Sequence, residues 1–176
     1  MRQALDQAPG GALNPTQVCA IGYAIADVLQ TAHDAGIIHC DIKPENVFLL
    51  EGDRIKVVDF GASQLLGRDR RGLRLIGTPR YMAPELFRAE PATPASDLYA
   101  LGCLLYELAI GDPPFEASDV ITMAHAHQQT PLPTLPSPRG SLPGALCTVI
   151  ERCLAKDADE RPASAEWVRE TLKGDR

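Results

Sequence analysis

Aromatic residues are scarce, at 5% of the 176 positions. That leaves few stacking platforms and argues against a single-strand nucleic-acid binder. Positive charge is not in excess: 17 Lys and Arg stand against 23 Asp and Glu, a formal net charge of -6. A chain of that balance has no general affinity for DNA, RNA or an anionic membrane. Paired cysteine spacings are missing too. Cys19, Cys40, Cys103, Cys147 and Cys153 are odd in number, scattered, and form no C-x-x-C. That pattern fits a reduced, cytoplasmic chain and not a disulfide scaffold. No positive-then-apolar leader follows Met1, so secretion is not expected. The longest apolar run, Leu98 to Tyr106, is too short to span a bilayer. One further absence is local. Between Ser63 and Thr78 there is no Ser, Thr or Tyr.

What is present suffices for one ordinary domain. Apolar residues make up 45% of the chain, enough for a core and too many for disorder. Asn14-Pro15-Thr16-Gln17 reads as a helix start, with an Asn cap, Pro at the first helical position and Gln at N3. Val18, Ile21, Ile25, Val28, Leu29 and Ala32 then recur at helical spacing, and Gly36 follows the end. Val47 to Leu50 and Ile55 to Val58 are short β-rich runs around Glu51-Gly52-Asp53-Arg54, which predicts a β-hairpin. Residues 62–80 have neither period and read as a loop carrying Arg68, Arg70, Arg71 and Arg74. Asp97 to Ile110 is apolar almost all round, the mark of a buried central helix. Ser118 is a candidate cap for a helix through about Gln128. Residues 130–144 hold five prolines and read as a connection, and Leu146 to Ala155 and Ala165 to Leu172 are two further amphipathic helices. There is no internal repeat.

Chemistry concentrates around the hairpin. His39-Cys40-Asp41-Ile42-Lys43-Pro44-Glu45-Asn46 precedes its first strand, and Asp59-Phe60-Gly61 follows its second. A hairpin brings its outer ends together, so Asn46 and Asp59 are expected to face one small space. An amide oxygen beside a carboxylate suits a hard divalent cation such as Mg²⁺. Asp41 can orient a hydroxyl, and Lys43 can hold a phosphate oxygen.

These segments resemble the protein kinases. HCDIKPEN is similar to their catalytic loop and DFG to their metal-binding segment. Gly77 to Glu85, GTPRYMAPE, resembles the end of their activation segment, and Ser96 to Phe115 their buried central helix and the turn after it. Arg161 stands where that family has an Arg paired with the Glu of APE, here Glu85. Asp-x-Lys-Pro-x-Asn is the serine/threonine form of the loop, and the wording overall is similar to bacterial kinases of eukaryotic type. The fold implied for residues 1–176 is mostly α, a kinase-like C-lobe with a small β-hairpin at the active edge and an activation segment over 59–85. The resemblance implies that Asp41 is the catalytic base and that Lys43 steadies the transferred phosphoryl group. It also implies that Thr78 bridges those two, that Asn46 and Asp59 hold Mg²⁺ on ATP, and that Phe48 lies under the adenine. His39 and Phe60 belong to the hydrophobic spine, and Asp97 anchors the catalytic loop from below.

The resemblance begins near the helix after the hinge. A Gly-rich phosphate loop and a V-A-I-K strand do not occur, and Gly10-Gly11 is an isolated pair. The expectation is an N-lobe absent from these residues, supplied by an upstream segment or a partner, with weak or no activity alone. The partner implied is a protein substrate with Ser or Thr; the alternative is a pseudokinase-like scaffold. Without its lobe, the upper face is expected to present apolar surface. The family usually has Arg where this chain has Cys40, and that Arg pairs with an activation-segment phosphate. With no acceptor hydroxyl over 64–77, both halves of that switch are missing together. Elsewhere the bland readings prevail. Cys40 is a small packing residue, His125 and His127 lie on a solvated face, and Cys147 and Cys153 point to different faces. The arginines of 68–74 dock an acidic substrate or are simply solvated. The Pro-rich 131–143 is an inter-helix loop.

Overall fold

The computed structural model describes residues 1–8, 11–50, 54–60, 64–65, 78–135 and 142–175, with 64–65 described by backbone only. The elements among them are α1 (Arg2–Gln7), α2 (Pro15–Asp34), β1 (Ile37–Ile38), β2 (Val47–Leu49), β3 (Ile55–Val57), β4 (Gln64–Leu65), α3 (Pro84–Phe87), α4 (Pro94–Ile110), α5 (Val120–Gln129), α6 (Gly144–Cys153) and α7 (Ala165–Leu172).

The expected first long helix is α2. Asn14 Oδ1 accepts the Thr16 amide at 2.9 Å and Pro15 opens the first turn. These satisfy the donors a helix start leaves over. Val18, Ile21, Ile25 and Leu29 form its buried stripe. Gly36 takes φ 73° after it, a left-handed stop that costs a glycine nothing. Helix α4 is buried nearly all round, as its composition predicts. Thr93 and Ser96 cap it reciprocally, and Gly111 closes it in the left-handed conformation. Helices α2, α6 and α7 pack around this centre. Contact is close at Gly102, where an added Cβ would stand 2.8 Å from Cys153 Cβ. No larger residue fits between α4 and α6 without displacement.

The expected hairpin pairs β2 with β3 in antiparallel register, Val47 opposite Val57 and Leu49 opposite Ile55. Its turn, residues 51–53, lies outside the described residues. Several elements depart from expectation. Helix α1 was not foreseen. The segment read as loop contains β4, which pairs with β1 through Ile37 opposite Leu65, and a 3₁₀ turn at Pro79–Tyr81. Two-residue strands are too short to show alternation. Ser118 is not the cap of α5. Asp119 is, with Oδ1 accepting the Ile121 and Thr122 amides at 2.9 Å. A carboxylate there also suits the helix dipole, which Ser118 cannot do. Ser63 and the arginines at 68, 70, 71 and 74 lie outside the described residues.

Candidate active site

The loop after β1 is fixed from beneath by one carboxylate. Asp97, in the first turn of α4, is 1% exposed. Its Oδ2 accepts the His39 amide and its Oδ1 the Cys40 amide, each at 2.8 Å. His33 Nε2 lies 2.8 Å from the same Oδ2. These charge-assisted bonds hold Cys40 at φ 67°, a region non-glycine residues avoid. Cys40 itself is buried, as a packing residue should be. His39 Nε2 lies 3.1 Å from the Val58 carbonyl, and its Nδ1 accepts the Asp41 amide. Together these contacts assign the Nε2–H tautomer. The ring meets Phe60 at a centroid distance of 4.5 Å.

Asp41, Lys43, Asn46 and Thr78 come together at the rim. Lys43 Nζ is 2.6 Å from Asp41 Oδ2 and donates to Thr78 Oγ1 at 2.9 Å. Thr78 donates to Asp41 Oδ1 twice, from its amide at 3.1 Å and its hydroxyl at 3.0 Å. Asn46 Nδ2 donates to Asp41 Oδ2 at 3.0 Å and to the Asp41 carbonyl at 2.8 Å. Burial raises the pKa of the Asp41 carboxyl, but Lys43, Thr78 and Asn46 outweigh it and hold it below its ordinary value. The group is therefore an ionised acceptor at neutral pH, oriented through both oxygens.

The hairpin sets the other two expected ligands. The Val58 amide donates to the Asn46 carbonyl at 2.9 Å, so Asp59 lies one residue beyond that pair. Asp59 is exposed and takes φ 64°. The donor chemistry fits Mg²⁺: the Asn46 amide oxygen is the arm not committed to Asp41, and Asp59 adds a carboxylate. Phe48 is 49% exposed on the same edge. Leu49, Leu50 and Phe60 are also exposed there. This matches the apolar face expected above the loop.

Below the rim, one buried and one half-buried ion cluster hold the segment from Thr78 to Glu85. Arg161 grips Glu85 with both terminal nitrogens at 2.8 Å, the structural pair expected from sequence. Burial raises the Glu85 pKa, and Arg161 with Ser96 more than reverses it. The second cluster was missed. Arg2 Nη1 donates to Glu107 Oε1 at 2.7 Å, its Nε to Glu45 at 2.8 Å, and its Nη2 to the Tyr81 hydroxyl at 2.9 Å. Tyr81 donates in turn to Glu107 Oε2. Burial and Glu107 push the Tyr81 hydroxyl pKa up, against Arg2. A signal was available: Glu107 is a carboxylate in the apolar last turns of α4, and such a charge needs a partner.

His127 corrects a further expectation. It is not on a solvated face. The residue is 0% exposed, and its ring lies among Phe87, Tyr99 and Phe115 at centroid distances of 5.6, 5.6 and 5.1 Å. His125, two residues earlier, is exposed. The two diverge as expected, but the second turns inward. Among the described residues no group of His, Cys, Asp or Glu is arranged to hold a metal on its own. Nor is any helix there long and apolar enough to cross a membrane.

Comparison with known proteins identifies a family. Residues 3–172 match the pattern of the protein kinase domain. The chain is 39% identical over 166 residues to the serine/threonine-protein kinase PkaA of Streptomyces coelicolor, covering 90% of this chain and 30% of that protein. It is 37% identical over 158 residues to the serine/threonine-protein kinase PknH of Mycobacterium tuberculosis, covering 88% and 25%. It is 37% identical over 173 residues to the serine/threonine-protein kinase pkn3 of Myxococcus xanthus, covering 92% and 32%. The chain thus spans about a third or less of the length of these relatives. Matched almost end to end by that domain, the chain belongs to the protein kinase family, among the serine/threonine kinases of bacterial type.

Proposed function

We propose that residues 1–176 supply the catalytic loop, Mg²⁺ ligands and substrate shelf for ATP-dependent phosphorylation of protein Ser or Thr, with residues 59–85 as the activation segment. The observation that carries this reading is the joint grip of Lys43, Thr78 and Asn46 on the Asp41 carboxylate. An ionised carboxylate at a fixed position can take the proton of a substrate hydroxyl as its oxygen bonds to the γ-phosphorus of ATP and ADP departs. Lys43 then offers its ammonium to the transferring phosphoryl oxygens. Thr78 sets the distance between the two and borders the place for the substrate side chain. Asn46 and Asp59 would hold Mg²⁺, which supplies charge neutralisation on the phosphates. Phe48 would offer an apolar surface to the adenine. Phosphoryl transfer rests on positioning and electrostatics. A partner or further segment covering the exposed Phe48, Leu49, Leu50 and Phe60 is therefore part of the proposal for full activity. None of the five cysteines is joined in a disulfide, which supports a cytoplasmic setting. Cys40, in place of the family's Arg, supports activity that needs no activation-segment phosphate.

One observation favours a second reading. The same four exposed apolar side chains form a docking face, so a non-catalytic scaffold would use that face alone. Calorimetric titration with Mg-ATP, with Asp59→Ala as control, separates the two. Micromolar binding lost in the control, followed by phosphotransfer to a Ser/Thr protein, is the expected result. A folded chain that binds no nucleotide, alone or with its covering partner, refutes the enzyme reading.

A further inference from the structure

The catalytic loop and the shelf are tied at the rim, where Lys43 and Thr78 meet on Asp41. A second tie lies away from the rim and rests on one side chain, Arg2 of α1. Its Nε donates to Glu45 Oε1 at 2.8 Å, in the 3₁₀ turn Pro44–Asn46 that ends the loop. Its Nη2 donates to the Tyr81 hydroxyl at 2.9 Å, in the 3₁₀ turn Pro79–Tyr81 of the shelf. Its Nη1 donates at 2.7 Å to Glu107, which is buried within α4. A lone 3₁₀ turn has weak internal bonding, so its placement depends on what grips it from outside. Each of these two turns is closed by one bond, from the Asn46 amide to the Lys43 carbonyl at 3.0 Å and from the Tyr81 amide to the Thr78 carbonyl at 2.9 Å. A guanidinium presents its donors on one rigid plane. Acceptors held on that plane cannot shift independently, and Glu107 anchors the plane to the central helix.

We propose that Arg2 is a positioning residue for phosphoryl transfer, its guanidinium setting the separation between the Glu45 end of the catalytic loop and the Tyr81 end of the substrate shelf. The proposal rests on the reading of residues 39–46 and 78–85 as loop and shelf. Arg2 forms no hydrogen bond or ion pair with Asp41, Lys43 or Thr78, so it acts through the two turns. Without it the tie at Thr78 remains and the far ends can part. A protein segment that must reach Asp41 while lying on the shelf then binds less well. The Asn46 side chain keeps its own bonds to Asp41, so the chemical step is left alone.

Two variants of the full chain test this, and amide exchange reads them without kinase activity. Arg2→Lys keeps a charge beside Glu107 and loses the fork. Glu45→Ala removes a half-exposed side chain and leaves Arg2 on Glu107 and Tyr81. In Arg2→Lys the Asn46 and Tyr81 amides should both exchange about tenfold faster, the scale of one ordinary hydrogen bond, with Ile150 of α6 near the parent rate. In Glu45→Ala, altered on the loop side alone, Tyr81 on the shelf should still quicken about threefold. The double variant should add nothing at Tyr81 beyond Arg2→Lys. An unchanged Tyr81 rate in Glu45→Ala, additive effects in the double variant, or an equal rise at Ile150 overturns the proposal. Should Arg2→Lys fail to fold, the Tyr81 rate in Glu45→Ala decides. Where phosphotransfer is observed, both variants should raise KM for the protein substrate several-fold with kcat unchanged. A fall in kcat at constant KM, the mark of a smaller active fraction, counts against positioning. Failure of the parent to bind Mg-ATP would sink the enzyme reading while leaving the exchange results to decide the coupling of the two turns.

Discussion

Replacing Arg161 by Met tests the reasoning about the buried ion pairs most sharply. The guanidinium binds both Glu85 oxygens at 2.8 Å. It also donates to the carbonyls of Ala155 at 2.9 Å, Ala95 at 3.0 Å and Lys156 at 3.3 Å. It lies 4.8 Å from the Tyr99 ring centroid. Met fills much of the space and answers none of those acceptors. Glu85, 3% exposed, keeps only the Ser96 hydroxyl at 2.7 Å as a side-chain donor. Removing one partner of a buried pair costs about 3–5 kcal/mol. In a chain of this length that lowers Tm by on the order of 10 °C. The pH dependence carries the distinctive sign. In the parent, the Glu85 pKa is depressed. Its contribution is full above the unfolded value of about 4.3 and is lost as pH falls through the folded value. In the variant, burial without Arg161 raises that pKa. The penalty is then greatest at neutral pH and shrinks as acid neutralises the carboxyl. Urea unfolding followed by the fluorescence of Trp167 at pH 7 and pH 5 measures both. The double variant Glu85→Gln/Arg161→Met should cost much less than the sum of the singles. A single-variant loss below about 1 kcal/mol, or one equal at both pH values, refutes the account.

Three other outcomes follow from the same structure. Asp97→Asn can accept only one of the His39 and Cys40 amides and sets an NH₂ against the other. It should cost about 2 kcal/mol, quicken amide exchange at both residues and abolish phosphotransfer. Gly102→Ala drives a methyl to within 2.8 Å of Cys153 Cβ. It should cost about 1–3 kcal/mol in urea unfolding, whereas Gly36→Asn, at an open left-handed position, should cost under about 1 kcal/mol. The folded His127 pKa of about 4 lies below the unfolded 6.5. Its contribution is therefore full above pH 6.5 and declines toward pH 4, by up to about 3 kcal/mol. A stability–pH curve of His127→Gln should be flatter over that window, and an unchanged slope would count against the buried neutral ring.

Legibility in the sequence tracked the range of the interactions involved. Helix α2 could be read because its cap, stripe and stop lie within one run of chain, Asn14 to Gly36. The β2–β3 hairpin was equally local. Asp41, Lys43, Asn46 and Asp59 could be found because their segments flank that hairpin. Thr78 was reached only through resemblance, for its partners are more than thirty residues away. Helix α1 was hidden because Arg2 finds Glu45, Tyr81 and Glu107 across the fold. Strand β4 is defined by pairing with β1 and not by its own pattern. His127 was misread because helical spacing separates it from His125 without saying which of the two faces inward. That is decided by Phe87, Tyr99 and Phe115, which arrive from three other segments.

Asp97 grips the main chain of the loop at His39 and Cys40 and not its side chains. The course of the loop is thereby uncoupled from the identity of residue 40. An arginine, a cysteine or a glycine can stand there while Asp41 keeps its place, because the amides being held are common to all three. That one side chain can consequently be exchanged with the Asp41 carboxylate left undisturbed. A lineage could change residue 40 in a single substitution without passing through a misaligned intermediate, whereas a phosphate switch would need an acceptor hydroxyl within 64–77 as well.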